Sequence, residues 1–171
     1  QVIRDQADEI AAVLVEPVQS ADPFNQPREF LHEVRRITQQ LDIALIMDEV
    51  ITGFRAAQGG AQEYFDVWGD MSTYGKILGG GLPIGALAGT KRFMDALDGG
   101  SWRYEDDSEP TADMTFFAGT FVRHPLAMTA AHQILMKVKE EGPELQEGLT
   151  RKTTYLVDKL NRFFAEELFP F

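Results

Sequence analysis

Ile43-Ala44-Leu45-Ile46-Met47 is an unbroken apolar run that stops at Asp48-Glu49. A second run, Ala11-Ala12-Val13-Leu14-Val15, stops at Glu16-Pro17. Continuous runs this short suit strands covered on both faces, as in a parallel sheet. Between them Phe30, Val34, Ile37 and Leu41 recur at helical spacing after Pro27, which predicts an amphipathic helix. Strand, helix, strand is a βαβ unit, and the class is α/β. Asp70-Met71-Ser72-Thr73-Tyr74 and Ala86-Leu87-Ala88 are further strand candidates. The glycines between them leave no room for a crossover helix, so the second of this pair is expected to run antiparallel. Residues 99–113 are polar and turn-rich and read as a loop. Ala127, Ala131, Ile134 and Val138 mark one later helix, and Leu145, Leu149, Leu156, Leu160 and Phe163 another. Gly142-Pro143 separates the two as a stop and a new start.

Composition narrows the possible functions. The chain has 171 residues, 44% hydrophobic and 25% charged, which suits a globular core and excludes disorder. Sixteen Lys and Arg stand against 27 Asp and Glu, for a net charge of −11. An acidic balance excludes a phosphate-backbone binder, so no nucleic-acid partner is expected. No cysteine is present, which removes disulfides and thiolate metal sites, and no metal is expected. No apolar run nears the roughly 20 residues that span a bilayer, so no membrane partner is expected. The N-terminus carries no signal-peptide pattern, and a cytoplasmic setting is the expectation.

Three polar groups fall at or just past strand ends, where ligands bind in open α/β sheets: Glu16, Asp48 and Lys76. Asp48 follows a dry run and needs a partner; a turn or capping role is the plainer reading. Lys76 is flanked by Gly75, Gly79, Gly80, Gly81 and Gly85, residues that let backbone approach a ligand closely. A lysine in a partly desolvated pocket can form a Schiff base with a carbonyl. A structural glycine turn is the competing reading. The phosphate-loop pattern fails, because Gly75-Lys76 is followed by Ile77, and the dinucleotide fingerprint fails on its third glycine.

The residues taken together are more specific. Asp48-Glu49-Val50-Ile51-Thr52-Gly53-Phe54-Arg55, Tyr74-Gly75-Lys76-Ile77-Leu78-Gly79-Gly80-Gly81-Leu82-Pro83-Ile84-Gly85-Ala86 and Ala118-Gly119-Thr120 resemble the class III aminotransferases. Val15-Glu16-Pro17-Val18-Gln19 is similar to another of their signature stretches. The lysine segment is most similar to the glutamate-1-semialdehyde aminomutase branch. Gly100-Ser101-Trp102-Arg103-Tyr104, Asp106-Asp107-Ser108 and Phe121-Val122-Arg123-His124-Pro125 resemble a narrower group. These are aminotransferase domains of mixed polyketide/non-ribosomal peptide synthetases, of the microcystin/nodularin and iturin type.

The resemblance implies a fold type I large domain, a mainly parallel sheet flanked by helices, with pyridoxal 5'-phosphate as cofactor. Lys76 would hold the cofactor and shuttle a proton to and from the substrate carbon. Asp48 would pair with the pyridine nitrogen, Val50 would pack on the ring face, and Thr120 would reach the phosphate across a homodimer. Val50 as a plain core residue and Thr120 as a turn hydroxyl stay open as readings of the residues alone. Glu16 is expected to line the pocket. Ile51, Ala21 and His124 depart from residues that many family members carry: a glutamine, a glutamate and an asparagine respectively. Family members are well over twice this length, so residues 1–171 are expected to be the central part of the large domain, without its N-terminal part and the small domain. The implied activity is transfer of an amino group from an amino acid donor to a carrier-protein-tethered β-ketoacyl chain, in secondary metabolite biosynthesis. A free-standing glutamate-1-semialdehyde aminomutase is the alternative. A silent docking module of the same fold is a third reading, against which stand both Lys76 and Asp48.

Overall fold

The computed structural model describes residues 1–103 and 105–167. Tyr104 of the narrower motif therefore lies outside the described residues. Four strands form one sheet in the order β1 (Ala12–Val15), β2 (Ala44–Asp48), β3 (Met71–Tyr74), β4 (Ala86–Gly89). The first three run parallel, with Val15 beside Met47 and Asp48 beside Thr73. β4 returns antiparallel, pairing Ala86 with Tyr74, as the missing crossover required. The short helix α1 (Val2–Asp5) precedes β1, and α2 (Arg28–Gln40) connects β1 to β2. α3 (Gly60–Phe65) lies between β2 and β3, and α4 (Lys91–Asp98) follows β4. α5 (Pro125–Glu141) and α6 (Glu144–Glu166) complete the order. Residues 99–113 contain neither helix nor strand among those described, as expected.

The core lies between α2, α3 and one face of the sheet. Leu31 and Val34 pack there with Leu45, Met47, Ala61, Phe65 and Val67. The predicted stripe on α2 holds at Val34 and Ile37 and is corrected at its two ends. Leu31, Val34, Ile37 and Thr38 are buried, whereas Phe30 is 56% exposed. Leu41 lies past the helix end, its amide closing the last turn on the Ile37 carbonyl. Polar neighbours account for Leu31 being buried in place of Phe30. Arg28 donates to the last carbonyls of α3, Tyr64 and Phe65, at 2.7 Å each, and Arg35 pairs with Asp70 at 2.8 Å. Those contacts flank Leu31 on the side that faces the core, with Arg28 itself still exposed, and leave Phe30 outside.

The expectation that both apolar runs are covered on both faces holds for β2 but not for β1. Leu14 is 64% exposed, because Val13 and Val15 alone face the core cluster. In the last third of the chain the break falls where expected. Gly142 takes φ +64°, a conformation glycine reaches without the usual penalty, and its amide bonds the Val138 carbonyl. Ala127, Ala131 and Val138 are buried as the spacing predicts. The apolar stripe of α6 is not: Leu149, Leu156, Leu160 and Phe163 are exposed. The buried residue there is Gln146, whose side-chain amide donates to the Phe54 carbonyl at 3.0 Å.

Asp70 ties several of these elements together. Its Oδ2 accepts from Arg35 and from the Leu45 amide at 2.8 Å each, and its carbonyl accepts from the Thr90 amide at 2.9 Å. Burial pushes the carboxyl up, but the Arg35 and Leu45 hydrogen bonds outweigh it and hold the group below its ordinary range. A carboxyl lowered in the folded state stabilises above its unfolded pKa, and that contribution is lost as pH falls through the folded value. Asp70→Ala should therefore cost about 2 kcal/mol at neutral pH. Urea unfolding of both proteins should show the gap narrowing as pH falls below the ordinary carboxylate range.

Candidate active site

Adjacent carboxylates at the end of β2 are used in opposite ways. Glu49 is 1% exposed and fully engaged. Its carboxylate accepts from Thr52 Oγ1 at 2.5 Å, from the Ala61 amide at 3.0 Å and from the Gln62 amide at 2.8 Å. The last two are free N–H groups of the first turn of α3, so Glu49 caps that helix from a distant strand. Its backbone amide donates to the Thr73 carbonyl at 3.0 Å, and its carbonyl accepts from the Gly53 amide at 2.8 Å. Gly60 is required here: it has φ +74°, and a Cβ would lie 2.6 Å from Glu49 Oε2. The loop from residue 49 to residue 62 is thus closed around one buried charge.

Asp48 is only half-buried. Its Oδ1 accepts from the Val50 amide at 3.0 Å and from Thr73 Oγ1 at 3.1 Å. Among the described residues its Oδ2 receives no hydrogen bond. One strand away, β3 ends at Tyr74, whose ring packs on Phe54 at 5.4 Å between centroids. Burial pushes the Tyr74 hydroxyl above its ordinary value. Gly75 then leads into a tight 3₁₀ turn, Lys76–Gly79. Lys76 has φ +46°, a left-handed conformation that costs a non-glycine residue about 1 kcal/mol. Backbone strain of this kind is found where geometry serves function. The Lys76 side chain is exposed and makes no hydrogen bond or ion pair among the described residues. Val50 joins the two ends: a Cβ at Gly75 would lie 3.5 Å from Val50 Cγ1 and 3.3 Å from the Ile84 carbonyl oxygen.

Asp48, Val50 and Lys76 therefore lie at the carboxyl ends of the neighbouring central strands β2 and β3. Glu16 stands at the same end of the sheet, past β1, with its Oε1 accepting from the Ser20 amide at 3.2 Å. Thr120 stands apart. It is exposed, in a turn closed by the Val122 amide on the Gly119 carbonyl, and no hydrogen bond links it to the cluster. α5, which follows that turn, packs on the Lys76 turn, with Ile134 Cγ1 3.1 Å from where a Gly80 Cβ would stand. The sequence reading passed over two residues of the site, Glu49 and Thr73. A second carboxylate ahead of a helix start with no Ser, Thr, Asp or Asn cap was the available signal for Glu49. Thr73 becomes visible only once the β2–β3 register is known.

The chain matches the aminotransferase class-III family over residues 1–169 and belongs to it. It is 39% identical over 162 residues to a glutamate-1-semialdehyde 2,1-aminomutase of Archaeoglobus fulgidus, covering 94% of this chain and 34% of that protein. It is 42% identical over 156 residues to the protein of that name from Alkaliphilus oremlandii, covering 91% of this chain and 34% of that one. The fold is similar to a β-phenylalanine aminotransferase from Variovorax paradoxus, with TM-score 0.74 and 30% identity over 97% of this chain and 36% of the other. An ω-transaminase from Sphaerobacter thermophilus gives TM-score 0.67 and 34% identity over 83% and 30% of the two chains. The chain spans about a third of the length of these curated relatives.

Pyridoxal 5'-phosphate is the cofactor of this family, and the residues present fit it. A carboxylate oxygen without a donor among the described residues suits a cationic ring nitrogen, and an uncommitted amine suits a carbonyl carbon. No helix among the described residues is long and apolar enough to cross a membrane.

The loop closure makes a direct claim about Glu49. Glu49→Ala leaves two buried amides of α3 without acceptors and should destabilise the protein by about 2–4 kcal/mol. Thermal or urea unfolding measures this, and Glu29→Ala, at an exposed carboxylate of α2, should cost far less.

Proposed function

We propose that this protein is a pyridoxal-phosphate aminotransferase whose cofactor is carried by Lys76. The observation that supports the reading is the placement of Asp48 and Lys76 at the carboxyl ends of the neighbouring parallel strands β2 and β3, with Val50 packed beside Gly75. When bound, the cofactor supplies an electron sink for charge developing at the amino-bearing carbon. Asp48 offers its free oxygen to the ring nitrogen and holds the proton there. Val50 supports the ring face, Lys76 takes and returns the proton at the reacting carbon, and Glu16 lines the pocket. The acceptor in this reading is a β-ketoacyl chain tethered to a carrier protein and the donor is an amino acid, on the strength of the motifs at 100–108 and 121–125. A second reading, isomerisation of glutamate 1-semialdehyde, is favoured by the relatives of that name at 39% and 42% identity. Turnover of a carrier-bound β-ketoacyl thioester with an amino donor, against turnover of glutamate 1-semialdehyde, separates the two.

Borohydride reduction of the holoenzyme followed by peptide mass mapping should place the cofactor on Lys76; a label on Lys91 would reject the assignment. Lys76→Ala should remove both the covalent attachment and turnover, by about a thousandfold or more. Asp48→Ala should keep the attachment while kcat falls, each tenfold loss corresponding to about 1.4 kcal/mol of barrier.

Thr120, set apart from its own chain's cluster, fits a role at the phosphate of a neighbouring copy in a homodimer. Lys76→Ala and Thr120→Asp enzymes, each inactive, should then recover activity when refolded together, up to about half the wild-type rate per mixed dimer. Absence of recovery in verified mixed dimers rejects the shared site.

A further inference from the structure

Thr73 holds both residues that follow the end of the β2 core. Its hydroxyl donates to Asp48 Oδ1 at 3.1 Å, and its carbonyl accepts the Glu49 amide at 3.0 Å. An ionised carboxylate can only accept, so the hydroxyl is the donor in the first of these bonds. The β-branched side chain has few rotamers on a strand, so the direction of that hydroxyl is set by β3 itself. One donor would leave the Asp48 carboxylate free to swing about its terminal torsion, which is broad. Two donors from different segments, Thr73 and the Val50 amide, converge on the same oxygen and fix the plane of the group.

We propose that Thr73 is a positioning residue that aims the free oxygen of Asp48 at the cofactor ring nitrogen. This rests on the reading of Asp48 given above. β3 therefore supplies two parts of the site. Its end carries Lys76, and Thr73, paired with Asp48 across the sheet, sets the orientation of the carboxylate that acts with it. The hydroxyl touches neither reactant nor reacting atom and acts only through Asp48.

The test compares Thr73→Val, which keeps the shape and removes the donor, with Thr73→Ser, which keeps the donor, in the holoenzyme. Three properties are read: the Kd for pyridoxal phosphate by titration of the apoenzyme, the visible circular dichroism of the bound cofactor, and kcat and KM for the amino donor. Thr73→Val should weaken cofactor binding and lower kcat by about tenfold, the scale of one hydrogen bond to a charged group. It should also reduce the visible dichroism while leaving KM unchanged. Thr73→Ser should stay within about twofold of the wild type, since its hydroxyl is retained. In an Asp48→Ala background, Thr73→Val should add nothing further, because its effect passes through the missing carboxylate.

The proposal is overturned if Thr73→Val matches the wild type, if Thr73→Ser is as impaired as Thr73→Val, or if the Thr73→Val loss persists in full without Asp48. Should Asp48→Ala itself leave affinity and dichroism unchanged, the reading of Asp48 fails and this inference fails with it. An impaired Asp48→Ala beside a silent Thr73→Val overturns the inference alone.

Discussion

The buried carboxylate of Glu49 is the constraint on which the site's geometry depends. A charge at that depth is tolerable only when its acceptor capacity is filled. Here one hydroxyl and two helix-start amides engage both of its oxygens, all drawn from the chain that follows. Satisfying the charge therefore requires the loop after β2 to fold back and α3 to begin where it does. With that loop closed, Val50 is held against Gly75, and the exit from β2 is bound to the exit from β3.

The same interaction explains why the neighbouring Asp48 can remain partly unsatisfied. Stability at this corner of the sheet is supplied by Glu49, so Asp48 is not needed to hold the loop. Its second oxygen stays available for chemistry. Two carboxylates, adjacent in sequence, are divided by strand alternation into one that is buried and engaged through both oxygens and one that keeps an oxygen without a donor among the described residues.

Much of the fold was legible from the sequence, for a physical reason. Apolar runs ending in carboxylates, a helical stripe after Pro27 and the absence of a crossover after Tyr74 are local signals, and β2, α2 and antiparallel β4 follow from them. That Leu31 rather than Phe30 completes the buried face of α2 was not legible, because Arg28 and Arg35 anchor that end by reaching α3 and Asp70, partners far off in the chain. The open face of β1 and the exposed stripe of α6 were misjudged for a related reason: periodicity reports that a surface is apolar, not what lies over it. In the site, Lys76 and Asp48 stood out by their settings, glycines around one and a dry run before the other. Thr73 and Glu49 carry no such local mark, since their roles exist only in the register between strands and in the closure of a loop.

The antiparallel return of β4 has a mechanical consequence for the lysine. The chain leaves the sheet at Tyr74 and re-enters it at Ala86, its partner on the same rung of the β3–β4 ladder. The arch that bears Lys76 thus stands on two feet planted side by side, and α5 leans on its crown at Gly80. The arch is therefore held at three points, by the β3 and β4 rungs at its feet and by Ile134 of α5 at Gly80, and the backbone that bears Lys76 lies between them.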